Sequence, residues 1–186
     1  MTDHILTAIT AWAAVFASLA AAVSVLVSWR GISAQNTQAK ASREDFKLSL
    51  SADMSMKLED RFNSPEQRKI RDNAAQALLS NKKLIEAEEV FDFFETVGLL
   101  VRTGAITGDL AYNFFFHWIN MYWVAGHDYI QNERKISKSL WENFEFVYGV
   151  VREIEKKKDA KSVDLNLAHD LKRLKKLLQA EIEETR

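Results

Sequence analysis

The sequence contains no cysteine, and its 186 residues include only one proline and six glycines. The absence of cysteine excludes disulfides, thiolate nucleophiles and metal sites built on cysteine. The scarcity of proline and glycine disfavours an architecture of strands and tight turns. The formal net charge of -1 excludes a global field that would attract nucleic acid or anionic lipid. Together these absences predict an all-α protein whose partners are recognised by local surfaces, with nucleic acid disfavoured as a partner.

The longest uncharged stretch runs from Ile5 to Trp29 and is predominantly apolar. At about 1.5 Å per residue, a helix of this length exceeds a hydrocarbon core of about 30 Å. Lipid offers the backbone no hydrogen-bond partner, so a spanning segment must be helical. We therefore expect residues 5–29 to form one transmembrane helix, with residues 1–4 as a short extracytoplasmic tail. A cleaved signal peptide and a buried core helix are the alternatives; the acidic start and the length of the run disfavour cleavage.

Positive charge follows this segment and does not precede it. Arg30, Lys40 and Arg43 lie just after the span, so the positive-inside rule places the rest of the chain in the cytoplasm. Trp29 and Arg30 form a natural pair of anchors at the membrane interface. The expected location is the cytoplasmic (inner) membrane of a bacterium, with membrane lipid as a partner.

Small and bulky side chains of the span are sorted onto opposite helix faces. Steps of four and three residues place on one face Thr7, Ala11, Ala14, Ser18, Ala21, Val25 and Ser28. The other face carries Ile9, Trp12, Phe16, Leu19, Val23 and Leu26. Because small residues let helices approach closely in lipid, the first face predicts a homo-oligomer; a chance stripe in an alanine-rich span is the alternative. In a ring of copies, the hydroxyl groups of that face would line a narrow, uncharged pore.

Helical patterns continue to the end of the chain. Residues 30–62 have no helix breaker after Gly31 and predict a helical stalk, with a flexible linker as the alternative. Residues 63–186 predict an antiparallel helical bundle. Its first helix begins at Ser64-Pro65, where an N-cap serine precedes a proline at the first helical position. The next helix is expected from about Glu86 to Arg102, with Gly104 ending it.

Three further helices complete the predicted bundle. The segment from Leu110 to about Gln131 is apolar on nearly every side, which predicts a central helix; its histidines and asparagines disfavour a second span. Ser137 or Ser139 is expected to cap the following helix. The last helix is amphipathic, with an apolar row of Leu167, Leu171, Leu174, Leu178 and Ile182. We expect this helix to dock on the bundle, and a coiled coil with a neighbouring subunit is the alternative.

No residue pattern in the chain predicts catalysis. The four histidines contain no i, i+4 pair and no HExxH motif, and there is no GxSxG, Walker A or glycine-rich dinucleotide turn. Small helical ribonucleases carry an arginine that is followed, after four to six residues, by a histidine. No arginine of this sequence precedes a histidine at that distance, and the nearest approach, His169 to Arg173, has the order reversed. We therefore expect a protein that is not an enzyme and holds no metal or cofactor. A degenerate ribonuclease-like domain is the third alternative.

Four polar residues of the apolar helices are candidates for buried polar positions: Glu95, Arg102, His117 and His127. We expect the histidines to be satisfied within an aromatic bundle and Arg102 to lie against an acid or to snorkel at its helix end. The tract KKKDAK at residues 156–161 could bind RNA or lipid headgroups. Neighbouring acids dilute its charge, so a solvated face is favoured.

The segment FDFFETVGLLVRTGAITGDLAYNFFFHWINMYW resembles a family of uncharacterised bacterial and prophage membrane proteins. Members have one N-terminal span and a helical domain with an FFExVGxLVRxGxI core. The matching residues are Phe93, Phe94, Glu95, Val97, Gly98, Leu100, Val101, Arg102, Gly104 and Ile106. The resemblance extends loosely over residues 1–150, and it implies a fold without implying an activity.

In architecture alone, the chain is also similar to the small membrane accessory protein of RNA-targeting CRISPR systems. That resemblance implies a ring-shaped pore that depolarises the membrane during phage infection. From these features we expect a self-associating membrane protein that perturbs the membrane or forms a pore in antiphage defence. A membrane-anchored module that tethers a cytosolic protein partner is the alternative.

Overall fold

The computed structural model describes residues 42–80, 85–159, 161 and 167–184. Residues 42–62 are helical (α1), and five further helices follow: α2 (Pro65–Ser80), α3 (Ile85–Arg102), α4 (Gly108–Glu133), α5 (Glu142–Lys158) and α6 (Leu171–Glu184). No strand occurs in these ranges. The all-α prediction is therefore confirmed for the part of the chain that the structure describes.

The chain divides into two compact units, Met1–Leu48 and Ser49–Arg186. In the first unit, the described residues 42–48 are helical and exposed. None of the described helices is long and apolar enough to cross a membrane. The predicted tail, the predicted span Ile5–Trp29, its small-residue face and the Trp29–Arg30 anchor lie outside the described residues, so these remain predictions.

Local signals in the sequence place the ends of several helices. The Ser64 hydroxyl accepts a hydrogen bond from the Gln67 amide at 3.2 Å, which confirms the predicted N-cap of α2. Gly104, the second residue after α3, adopts φ +73°, as expected for a glycine that ends a helix. The Thr107 hydroxyl accepts from the Leu110 amide at 3.2 Å and caps α4.

The core of the second unit is rich in aromatic rings. Phe62 from α1 is fully buried, although the sequence places it at the end of the predicted stalk. Its ring lies 4.9 Å from the ring of Phe93, 5.7 Å from that of Phe115 and 5.2 Å from that of Trp118. Tilted and edge-to-face pairs at such distances add to the free energy gained by burial. Phe62 thus joins α1 to α3 and α4.

Helix α4 packs against α3, α5 and α6, as expected of a central helix. It runs antiparallel to α5, because Tyr112 near its start contacts Glu155 and Arg134 after its end contacts Glu145. The C-terminal helix α6 packs mainly on α2 and also on α4 of its own chain. The predicted docking of α6 on the bundle is therefore observed.

Candidate functional site

Three of the residues that carry the family resemblance, Glu95, Gly98 and Arg102, lie on the side of α3 that faces the start of α5. Glu95 is the central one. Its carboxylate accepts hydrogen bonds from the Asn143 side-chain amide at 2.7 Å and from the Phe144 backbone amide at 2.8 Å. Backbone amides at a helix start lack partners within their own helix. A side chain of α3 therefore caps α5.

Gly98, one turn after Glu95, lets the two helices approach closely. A Cβ atom built at this position would lie 1.9 Å from the backbone oxygen of Asn143. No side chain fits in that space, and the atom in the way belongs to the backbone. Gly98 is therefore required by the packing of α3 on α5.

Arg102 completes this side of α3. Its Nη1 atom lies 3.1 Å from Glu142 Oε1, and its guanidinium lies 4.9 Å from the centre of the Phe146 ring. The two charged side chains are 41% and 52% exposed. An ion pair this exposed contributes about 0–1 kcal/mol, so it adds little to the stability of the fold.

Hydrogen bonds to α3 and to Arg134 fix the turn between α4 and α5. Trp141, the residue before α5, adopts a left-handed backbone with φ 52°, and its indole Nε1 donates to Asp92 on α3 at 2.8 Å. The Arg134 guanidinium donates to the carbonyl oxygens of Leu140 at 2.7 Å and Trp141 at 3.0 Å. It also contacts the Glu145 carboxylate at 2.6 Å. These bonds hold the unfavourable backbone of Trp141 in place.

The structure changes the expected capping of α5. The sequence predicts Ser137 or Ser139 as the cap, but Ser137 precedes the turn 138–141, Ser139 lies within it, and α5 begins at Glu142. Trp141 occupies the N-cap position and makes no side-chain capping bond. The correction has a physical cause, because Glu95 supplies the capping oxygen from 49 residues earlier in the chain.

A buried ion pair lies elsewhere in the bundle, between α2 and α6. Arg71 Nε and Glu181 Oε1 are 2.9 Å apart, and both side chains are 5% exposed. The Glu181 carboxylate also accepts a hydrogen bond from Trp118 Nε1 at 3.1 Å. The Arg71 guanidinium lies 4.1 Å from the centre of the Phe62 ring. Burial lowers the pKa of Arg71, and the nearby Glu181 charge opposes that shift.

Tyr122 extends the same cluster. Its hydroxyl donates to the backbone oxygen of Arg71 at 3.3 Å, and its side chain is fully buried. Burial raises the pKa of Tyr122 well above its usual value, and the Glu181 carboxylate raises it further. The tyrosine is therefore a neutral donor at physiological pH.

The four predicted buried polar residues differ in their surroundings. Glu95 is half-buried and caps α5, as described above. Arg102 is exposed and faces Glu142 on α5 instead of Glu95, because Glu95 points at the first turn of that helix. His117 and His127 are also exposed, each with its ring edge-on to a neighbouring tryptophan. The two candidate histidines therefore lie on a side of α4 that is open to solvent, and Arg102 lies against an acid at the end of α3, which is one of the two expected arrangements.

Four residues with important contacts are not singled out by the sequence: Arg71, Glu181, Asp92 and Trp141. A signal existed for Asp92, which lies one turn before Glu95 in α3 and so shares its face. No local signal pairs Arg71 with Glu181, because these residues lie 110 positions apart and each resembles an ordinary surface charge.

A cleft with a volume of about 530 Å³ lies along α4 and α5. Trp123 and Tyr148, whose rings are stacked at 5.3 Å, contribute to its wall, with His127, Asp128 and Glu145 as polar lining. No group of three or more acids and histidines suited to a metal ion occurs among the described residues. The wall of the cleft is therefore aromatic with a few polar groups. One of these groups, the Glu145 carboxylate, already forms an ion pair with Arg134.

The comparison with protein families matches residues 13–149 to the domain of unknown function DUF4760. The chain belongs to the DUF4760 family. No curated protein and no solved structure matches the chain. The DUF4760 region includes Glu95, Gly98 and Arg102, whose observed contacts all hold α3 to α5. In this chain these three residues therefore join two helices of the matched region, and α6 follows that region.

Proposed function

We propose that the protein is a single-pass membrane protein that forms homo-oligomers and whose assembled spans perturb or perforate the membrane. The observation that carries the proposal is the sequence of residues 5–29, which is free of charge and has its small and bulky side chains on opposite faces. Helix faces made of small residues favour helix pairing in lipid, and a single span must pair with a span of another chain. A second copy is the simplest source of that span.

The polar contacts of the bundle favour an assembly role over a catalytic one. Glu95 caps α5, Arg134 holds the α4–α5 turn, and Glu181 neutralises Arg71. Each of these groups is engaged in holding helices together. A rigid bundle behind the span is suited to fixing the spacing of copies, which a pore or a regular assembly requires.

The finer part of the proposal is that this assembly is an effector of antiphage defence. Its support is the similarity in architecture to the pore-forming accessory protein of RNA-targeting CRISPR systems. A second candidate function is an anchored module that tethers a cytosolic protein. The cleft of about 530 Å³ and the exposed apolar side chains of Ile136 and Leu171 favour this candidate, because they offer the bundle surface for a partner.

The oligomeric state of the full chain in detergent, measured by light scattering, tests self-association. We expect oligomers that Ala14→Leu with Ala21→Leu disrupts, since bulky side chains block close approach. Phe16→Ala with Leu19→Ala, on the opposite face, is the matched control and should leave the oligomers intact. Monomeric wild-type chain would refute the proposal.

Leakage of dye from liposomes then separates the two candidates. A membrane-perturbing assembly releases dye, and the Ala14→Leu, Ala21→Leu variant does not. Oligomers that release no dye at any protein-to-lipid ratio would favour the tethering module over the pore.

A further inference from the structure

A second cleft, the α2–α3 cleft, has a volume of about 350 Å³ and lies where the end of α1 and the start of α2 meet the middle of α3. Such a volume is at the small end of the range for ligand sites, about 300–1,000 Å³. Most of its lining is polar and includes Arg61, Glu66, Gln67, Glu89 and Asp92. The cleft shares no residue with the aromatic cleft along α4 and α5.

Gln67 is the residue of the α2–α3 cleft that points to a ligand. It is only 7% exposed, and its backbone amide donates to the Ser64 hydroxyl at 3.2 Å. Its side-chain amide forms no hydrogen bond with any residue that the structure describes. A buried amide without partners costs free energy, so most buried polar groups have one. Because Gln67 lines the cleft, its side-chain oxygen and NH₂ group are available to a molecule bound there.

The charges around Gln67 favour a cation as that molecule. Glu66, Glu89 and Asp92 bring three carboxylates to the cleft, and Arg61 brings one positive charge. Within the described ranges, none of these four side chains forms an ion pair. One oxygen of Asp92 accepts from the turn before α5, and its second oxygen remains as an acceptor. A cleft lined by charge of one sign raises the local concentration of ligands of the opposite sign.

The placement of the acids favours an extended organic cation over a metal ion. In residues 42–80, 85–159, 161 and 167–184, no group of three or more acids and histidines could hold one metal ion. Glu66 lies on α2, whereas Glu89 and Asp92 lie on α3, so acceptors line two walls of the cleft. The Phe93 ring also lines it, and the Arg61 guanidinium lies 6.0 Å from the centre of that ring. Aromatic ring faces attract ammonium and guanidinium groups.

We propose that the α2–α3 cleft binds a small linear organic cation that carries ammonium or guanidinium groups. Glu89 and Asp92 on one wall and Glu66 on the other bind the charged groups, and the Gln67 side-chain oxygen accepts a hydrogen bond from one of them. Arg61 opposes binding, because its charge has the same sign as the ligand. The site does not depend on the self-association proposed above.

Titration calorimetry on the full chain in a neutral detergent at low salt tests the choice of ligand. The probe is agmatine, a dication with a guanidinium at one end and an ammonium at the other. Its matched control is γ-guanidinobutyrate, which has a carboxylate in place of the ammonium. We expect one agmatine to bind per chain, and the control to bind weaker by about tenfold or more, because its carboxylate meets acids of the same sign.

Charge variants locate the binding site. Glu89→Gln with Asp92→Asn removes two charges and keeps an oxygen at each position, and it should weaken agmatine binding by about tenfold or more. Glu153→Gln with Glu183→Gln removes the same charge from exposed positions outside the cleft, and its affinity should stay within about twofold of wild type. Thermal unfolding without ligand checks that each variant is folded.

Two further variants change the affinity in opposite directions. Gln67→Leu removes the unpartnered amide and should weaken agmatine binding by about three- to tenfold. Arg61→Gln removes the opposing charge at an exposed position and should tighten binding by about two- to fivefold. A misfolded variant cannot produce that gain.

Absence of agmatine binding to the wild-type chain would overturn the proposal. Equal affinities for the Glu89–Asp92 variant and its charge-matched control, or weaker binding by Arg61→Gln, would also overturn it. A short peptide with one arginine and blocked ends represents the same cation on a partner protein. If this peptide binds about tenfold tighter than agmatine, the cleft recognises a protein and the assignment to a small molecule is wrong.

Discussion

The backbone amide of Phe144 donates a 2.8 Å hydrogen bond to the carboxylate of Glu95, so a side chain of α3 caps the start of α5. The same carboxylate accepts from the Asn143 side chain at 2.7 Å. A negative charge at a helix start is also favoured by the helix dipole. Glu95 therefore joins the two helices, and its substitution should change the stability of the fold.

Replacement of Glu95 tests this joint. Glu95→Ala removes the capping oxygen of α5 and should lower the free energy of unfolding by about 1–2 kcal/mol. Glu95→Gln keeps one oxygen acceptor and should cost less. Glu89→Ala, at an exposed position of α3, is the control and should lie within about 0.5 kcal/mol of wild type. Denaturant unfolding measures all three, and an equal loss at Glu89 and Glu95 would contradict the capping role.

Two glycines offer a matched comparison of packing. Gly98→Ala would place a Cβ atom 1.9 Å from the Asn143 backbone oxygen, and α3 must then separate from α5. We expect a loss of about 3 kcal/mol or more of unfolding free energy, as for severe overpacking. Gly149→Ala meets no atom within 4 Å and lies within α5, so it should stabilise the protein by up to about 1 kcal/mol. Thermal unfolding distinguishes these opposite signs, and a tolerated alanine at 98 would refute the close approach.

The buried Arg71–Glu181 pair should contribute more to the free energy of unfolding than the exposed Arg102–Glu142 pair. Removal of one partner from the buried pair, by Arg71→Met or Glu181→Gln, should cost about 3–5 kcal/mol, because the remaining group is left buried without its partner. The double variant should cost less than the sum of the two. Removal of Arg102 or Glu142, an exposed pair, should cost about 0–1 kcal/mol. Double-mutant cycles in urea give both coupling energies, and equal coupling for the two pairs would contradict this difference in burial.

Tyr129 should make the fold sensitive to alkaline pH. Its hydroxyl donates to the Glu88 carboxylate, and burial followed by this bond raises its pKa above the ordinary value of 10.0. The raised pKa means that the folded state disfavours the ionised ring. This contribution to stability is therefore complete below pH 10 and is lost as the pH rises above it. The Tyr129→Phe variant should lose less stability than wild type between pH 9 and about pH 11, and parallel pH profiles would contradict this prediction.

The sequence predicts those parts of the fold that depend on local signals. Ser64 and Pro65 mark the start of α2, and Gly104 marks the end of α3, because caps and left-handed positions restrict the residues that fit them. The all-α class follows from helical periodicity and the scarcity of proline and glycine. These predictions need no knowledge of which helices are neighbours.

The contacts of the candidate site join helices that are distant in the sequence, so the sequence predicts the site only in part. Glu95 and Arg102 are singled out by polarity within an apolar helix, but their partners on α5 lie 40 to 49 positions away. Arg71 and Glu181 are farther apart still. Periodicity identifies the face on which a residue lies and leaves open which helix covers that face, so the partners follow only from the packed structure.

Cross-linking within the membrane gives the most direct test of self-association through the span. Because the chain has no cysteine, Ser18→Cys on the small-residue face and Leu19→Cys on the bulky face each introduce a single thiol. Mild oxidation of membranes that contain the full chain should yield disulfide-linked dimers for Ser18→Cys and few for Leu19→Cys, since a disulfide requires Cα atoms within about 7 Å. Absence of dimers for Ser18→Cys, or equal dimer yields for the two variants, would contradict pairing through this face.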